Sequence, residues 1–197
     1  MILYYSPGAC SLADHIALEE AGVKFSLEKV DLKTHKLQDG GSYYDINPKG
    51  YVPALRLDDG QILTENIAVL YFIADNHPSL IPPGQLGRYR LLETLAFISS
   101  EIHKPFGPLF KPGASQDEKA AAAHTVRSRL GEIAKHVKGP YLFGEHATVA
   151  DFFLFVILMW AATSGIDIPQ PLKTLSDHVR ARPTVDIALK QEGLARA

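Results

Sequence analysis

Three prolines and a glycine fall within the seven residues Pro78-Ser-Leu-Ile-Pro-Pro-Gly84, and the hydrophobic pattern changes period across them. Proline lacks an amide proton and fixes φ, so neither a helix nor a central strand runs through such a stretch. Before it, strand-like and helix-like runs alternate. After it, apolar residues recur only at helical spacing. The chain therefore reads as an α/β part at residues 1–78, a linker at 79–86 and an all-helical part at 87–197. At 197 residues it is long enough to bury a sizeable core in one or two domains.

In the first part Ile2–Tyr5 reads as a strand and Pro7-Gly8 as a turn. A helix is expected from Ser11 to Ala21, opened by Ser11-Leu-Ala-Asp14 at capping-box spacing and stopped by Gly22. Phe25–Val30 alternates as a half-buried strand does. Lys33–Asn47 is polar and Gly-interrupted, a loop or a broken helix. Ala54–Leu57 and Gln61–Leu63 flank Asp58-Asp59-Gly60, a hairpin signal. A helix over Glu65–His77 completes the order β-α-β-(α)-β-β-α. In the second part Leu91, Leu95, Ile98 and Ile102 form a helical stripe, and Asp117–Val137 is an Ala-rich helix. Thr148-Val-Ala-Asp151 is a capping box opening the apolar run Phe152–Ala162, and shorter helices follow at Pro171–Ala181 and Val185–Glu192.

Charge and cysteine content exclude several classes. Twenty Lys+Arg against 22 Asp+Glu give a net charge of −2, without the basic excess of a nucleic-acid binder. The single cysteine cannot form an internal disulfide. Met1–Tyr5 lacks the basic start of a signal peptide. The eleven residues Phe152–Ala162 are about half of the ~20 that span a bilayer, so they read as a core helix. A cytoplasmic protein without a membrane partner is expected. No metal-ligand spacing, Gly-rich phosphate loop or Gly-x-Ser-x-Gly elbow occurs in the sequence.

Four places could carry chemistry. Cys10 directly precedes a helix, where the macrodipole and unpaired N–H groups favour a thiolate, its own or a bound ligand's. The alternative is a small core residue ending a loop. Val52-Pro53 precedes a strand. Proline is tolerated there sterically, whereas a cis bond would turn the Val52 N–H and C=O outward toward an extended ligand. Leu63-Thr-Glu65-Asn66 either caps a helix or offers free N–H groups to a carboxylate and Glu65 to an ammonium. Ala96, Ser99, Ser100, His103 and Gly107 share a small, polar helical face, with Lys104 beside it. That face is either solvated or the wall of a site.

Taken in order, these pieces resemble the glutathione S-transferases over nearly the whole chain, and most of all the bacterial beta class. The resemblance is carried by Tyr5-Ser-Pro-Gly-Ala-Cys-Ser-Leu-Ala13, Asn47-Pro-Lys-Gly-Tyr-Val-Pro-Ala-Leu55, Leu63-Thr-Glu65, Ser100-Glu-Ile-His-Lys104 and the Thr148–Asp151 box. It implies a thioredoxin-like, glutathione-binding domain followed by an all-α domain that supplies most of the second-substrate pocket. It further implies a homodimer with glutathione and a small electrophile as partners, and no covalently bound cofactor. Position by position, it implies that Cys10 contacts the glutathione sulfur, with Ser11 as a second donor and His103 directed to the same atom. Val52, before a cis Pro53, pairs with the tripeptide backbone. Glu65 and Asn66 hold the γ-glutamyl end, and Ser100 and Lys104 also bind glutathione. His35 stands where the family often has Lys near the glycine carboxylate, which makes that contact pH-sensitive. Ala96 stands where some relatives carry Asn. Pro105, Phe106, Phe110 and Trp160 build the hydrophobic pocket.

Lowering a thiol pKa from about 8.5 to about 6.5 stabilises the thiolate by roughly 2.7 kcal/mol. A helix end supplies about 0.3–1 kcal/mol and a hydrogen bond to a charged group about 1.5–3 kcal/mol. One or two directed donors are therefore needed, and Cys10, Ser11 and His103 are the candidates. The expected activity is detoxifying conjugation of glutathione to electrophiles, with thiol–disulfide exchange through Cys10 as an added capacity. The alternative is a non-enzymatic binding or regulatory protein on the same scaffold.

Overall fold

A computed structural model describes residues 1–194 of the chain. The last three residues assigned to the helical part lie outside them. Two compact units are present: Met1–Leu80 together with the chain from Ala181 onward, and Ile81–Arg180.

In the first unit β1 (Ile2–Tyr5), β2 (Ser26–Asp31), β3 (Lys36–Leu37), β4 (Ala54–Arg56) and β5 (Ile62–Thr64) form a sheet ordered β3-β2-β1-β4-β5. Only β1 and β2 are parallel, with Leu3 opposite Leu27; α1 (Ser11–Ala21) is the crossover that a parallel pair requires. The expected hairpin is present, with Leu55 opposite Leu63, and α2 (Asn66–Asn76) follows it. Strand alternation sorts the side chains. Tyr4, Val30 and Ala54 pack with Tyr43 and Val52 in one cluster, while Leu3 and Leu55, both wholly buried, face the other way. The polar stretch from Lys33 to Asn47 is neither plain loop nor broken α-helix. It holds β3 and a 3-10 turn at Tyr43–Asp45, anchored by the fully buried Tyr43 ring.

All eight residues from Ser11 to Leu18 of α1 are buried, because α1 packs against β1, α2 and a later helix. Gly22 ends it at φ 66°, a left-handed conformation open to glycine without steric cost. The expected capping box at Ser11 does not form. Cys10 is the N-cap, and Asp14 is turned elsewhere.

The second unit holds α3 (Gly87–Phe97), a π-helical turn at Ile98–His103, a 3-10 turn at Lys104–Phe106, α4 (Gly107–Phe110), α5 (Gln116–Ala134), α6 (Val149–Thr163) and α7 (Gln170–Arg180). The stripe Leu91, Leu95, Ile98 and Ile102 is fully buried, as its spacing predicts. The Thr148–Asp151 box is formed: Asp151 accepts from the Thr148 N–H at 2.8 Å and from the Leu142 N–H at 2.7 Å. α6 is buried without interruption from Val149 to Leu158. Among the described residues no helix is long and apolar enough to cross a membrane.

The last helix, α8 (Pro183–Gln191), packs on α1 of the first unit rather than with the helices that precede it in sequence. Arg182 pairs there with Glu20, and His15 with Glu192.

Candidate active site

The turn from Ser6 to Cys10 leads from β1 into α1. The Ala9 N–H closes it on the Ser6 carbonyl at 3.0 Å, and Gly8 takes φ 71°. Cys10 is buried, and its Sγ donates to the Val52 carbonyl at 3.5 Å. Burial, and then the neighbouring Asp14, push its thiol up to about 12. This corrects the expectation only as far as it concerned a thiolate on Cys10 itself. Desolvation disfavours the charged form by more than the helix dipole favours it. Ser11 is also wholly buried. Its hydroxyl accepts from the Ser6 N–H at 3.3 Å and donates to the Ser6 carbonyl at 3.5 Å, so it closes the turn rather than facing a ligand.

The Val52-Pro53 bond is cis. The residue before it is held firmly: the Tyr51 carbonyl accepts from Asn47 Nδ2 at 2.7 Å and from the Tyr43 hydroxyl at 3.1 Å. Val52 precedes β4, so it stands outside that strand's ladder. Glu65 is the N-cap of α2 at φ 74°, a value uncommon for any residue with a side chain. Such conformations persist where the surroundings enforce them, and they cluster at ligand clamps. The Glu65 carboxylate is exposed and pairs with Lys49 Nζ, which also donates to Thr64 Oγ1 at 3.0 Å.

Asn66, by contrast, is turned inward. Its Nδ2 donates to the Cys10 carbonyl at 3.0 Å and to Asp14 Oδ2 at 2.9 Å. Asn66 therefore ties α2 to the start of α1 instead of offering its amide to a γ-glutamyl group. Asp14 is completely buried, and burial, with Glu192 adding to it, holds its carboxyl well above the usual range. The structure thus brings Cys10, Val52, Pro53, Glu65 and Asn66 to one place in the first unit. His35, at φ 53°, comes from the segment after β2 and meets the turn that precedes Val52. Its Nδ1 faces the Gly50 carbonyl at 2.9 Å and its ring packs on Tyr44 at 4.6 Å.

In the second unit, His103 ends the π-helical turn, whose wide hydrogen bond runs from the Lys104 N–H back to the Ser99 carbonyl. Pro105 follows without an N–H of its own. Burial holds the His103 imidazole below its ordinary value, so the ring is neutral at pH 7. It packs against Trp160 at 5.1 Å and Phe153 at 5.7 Å. Phe106 and Phe110 meet the same Trp160 at 5.6 and 5.2 Å, so three of the four expected pocket residues form one aromatic cluster with His103. Phe106 is buried and Phe110 exposed, while Pro105 is half-buried. The Ser100 hydroxyl donates to the Ala96 carbonyl at 3.0 Å, and Lys104 is exposed.

Residues 9–76 match the family described as glutathione S-transferase, N-terminal domain, and residues 85–181 match its C-terminal domain. The chain belongs to the glutathione S-transferase family. A glutathione S-transferase, GstA, of Escherichia coli O157:H7 is 38% identical over 200 residues, covering 98% of this chain and all of the relative. A sphingomonad glutathione S-transferase, solved in complex with glutathione, is 48% identical with a TM-score of 0.92, covering 99% of this chain and all of that one. A bacterial beta class glutathione S-transferase of Sphingomonas chungbukensis is 47% identical with a TM-score of 0.93 over the same shares of both chains.

Within this transferase, the sequence reading gives Lys49, Asn47 and Asp14 no role in the site. Asp14 carries a readable signal, a charge amid the apolar positions of a helix. Lys49 carries a weaker one, a cation in the same turn as Val52-Pro53.

Proposed function

We infer that the protein is a glutathione transferase that joins the glutathione thiolate to small, mostly hydrophobic electrophiles. The observation that carries this reading is the meeting of Glu65, held at φ 74°, with the cis Val52-Pro53 turn and the Cys10 thiol in the first unit. Glu65 takes the γ-glutamyl ammonium, and the Val52 backbone pairs with the tripeptide. His35 stands beside the glycine carboxylate.

Cys10, a thiol at neutral pH, serves as a hydrogen-bond donor to the glutathione sulfur. With its own value at about 12, its thiolate at pH 7 is about one part in 10⁵, far too little for an attacking group. His103 is neutral, so one ring nitrogen can accept the thiol proton. Ser100 and Lys104 flank it. The glutathione sulfur then forms a bond to the electrophilic carbon, and the leaving group departs with its electron pair. Trp160, Phe106, Phe110 and Pro105 favour an apolar partner.

The reading also takes the protein to be a cytoplasmic homodimer. Leu86, Tyr89 and Leu92 lie at three-residue spacing at the start of α3 with relative exposures of 54, 69 and 43%.

Retention on immobilised glutathione, followed by turnover of an aryl halide, tests the reading. Retention with turnover is expected. Retention without turnover would assign a binding or regulatory role instead, and absence of both would remove glutathione from the account.

A further inference from the structure

Glu192 lies just past α8, and its carboxylate is buried in the first unit with 5% of its surface exposed. Both oxygens are used. Oε1 meets His15 Nδ1 at 2.9 Å, and Oε2 accepts from the Gly8 N–H at 2.9 Å, a contact spanning 184 residues of sequence. His15 is itself fully buried, with its other ring nitrogen on the Gln191 side-chain oxygen at 2.6 Å. Leu194 lies over the same turn, since a Cβ built on Gly8 would stand 3.7 Å from its Cδ2. Gly8 is two residues before Cys10, in the turn that sets where the thiol stands. Internally that turn is closed by the 3.0 Å contact from Ala9 to Ser6 and by the long Ser11 contacts.

We propose that Glu192 is a positioning residue for the Gly8–Cys10 turn, so that the C-terminal segment holds the thiol in register with the Val52 carbonyl. A buried carboxylate is costly to keep unless its oxygens are paired, and here its two partners sit on the two ends of one short segment, Gly8 and His15. Removing it leaves the His15 nitrogen and the Gly8 N–H without this acceptor, and the turn opens locally while sheet and helices stay folded.

Cys10 is the only cysteine, so the rate at which a small thiol reagent labels the native protein reads the turn directly. Glu192→Ala is expected to label about tenfold faster or more, at a rate that low urea does not change, as local opening requires. Glu192→Gln is expected to stay within about threefold of the unaltered protein, because the amide oxygen still accepts from Gly8 and the amide nitrogen can donate to His15 Nδ1 in the tautomer that carries its proton on Nε2. An unchanged rate in Glu192→Ala, or a rise that follows urea as global unfolding does, would overturn the proposal. Should the alanine variant not fold, hydrogen exchange at the Gly8 amide of the unaltered protein decides. Protection is expected, and exchange at the rate of an open loop would overturn it.

The kinetic consequence rests on the transferase reading. Glutathione affinity comes from Glu65 and Val52, which the turn does not carry. Loosening it should therefore lower kcat in Glu192→Ala and leave the glutathione KM within about twofold. Faster labelling with unchanged kcat would support the clasp and count against Cys10 as a contact of the reacting sulfur.

Discussion

Glu65 and Cys10 sit in one site but answer to opposite physics. Glu65 keeps its carboxylate in water beside Lys49, and a ligand ammonium would bring the second cation. An ion pair between exposed groups is worth about 0.2–1 kcal/mol. Glu65→Ala should therefore lose glutathione affinity by about that amount in calorimetry at an unchanged melting temperature. Undiminished affinity would take Glu65 out of the site. Cys10 is governed by burial. Its thiol stands at about 12 in the folded chain and ionises near about 8.5 when unfolded, so the unfolded state gives up its proton first. The stability contributed by that proton is complete below about pH 8.5 and is lost as pH rises toward 12. A titration of thiolate absorbance should show no ionised Cys10 through pH 9, and Cys10→Ala should lack this part of the alkaline loss. Cys10→Ser should keep more conjugating activity than Cys10→Ala, since a hydroxyl donates at least as well as a thiol. The sequence marks both residues by their place at helix starts. It does not reveal that the Val52 carbonyl closes over the thiol, because that neighbour arrives from another element, nor that burial decides the sign of the shift.

Elements with a strong local pattern are legible in the sequence, and those that depend on a distant partner are not. The hairpin around Asp58-Asp59-Gly60 and the stripe from Leu91 to Ile102 form as their spacing dictates. Two candidate capping boxes show where local reading ends. Thr148–Asp151 forms its box, whereas at Ser11–Asp14 the carboxyl is drawn to Asn66 of α2. A box at Ser115–Glu118 forms as well, with the Ser115 N–H on Glu118 at 2.7 Å. The π-helical turn that ends at His103 has no periodic signature, since its hydrogen bonds reach five residues back instead of four. At the start of α6, Asp151→Ala would leave the Leu142 and Thr148 N–H groups buried and unpaired, at about 1–3 kcal/mol each by denaturant unfolding. Burial raises the Asp151 carboxyl to about 6 from an ordinary value near 3.8. The folded chain thus holds a proton that the unfolded chain has lost. That stability is complete below about pH 4 and declines as pH rises through 6. Asp151→Asn cannot ionise and should show a shallower decline across this window, the buried Asp14 still contributing its own. An identical slope in both proteins would assign the titration to another group.

At the scale of the whole molecule, the sequence divides the chain at the proline-rich break but does not reveal that α8 returns to the first unit. Its amphipathic pattern says that one face is buried, not against what. The remaining question of assembly is set by α3. Leu86, Tyr89 and Leu92 present a row of large side chains to solvent along one helix, and such a row is covered when copies of a chain associate. A homodimer places this row against a second copy, and interfaces that hold at micromolar concentration commonly bury about 1,200–2,000 Å² with aromatic residues at their centre. Sedimentation should give about twice 21.6 kDa at micromolar protein. Tyr89→Arg would place two unpaired cations in the covered patch, a change that costs several kcal/mol when a charge is buried without a partner. That variant should sediment at 21.6 kDa with its helical circular dichroism intact. An unaltered protein that sediments as a monomer would refute the dimer, and a Tyr89→Arg protein that stays dimeric would move the interface off this face of α3.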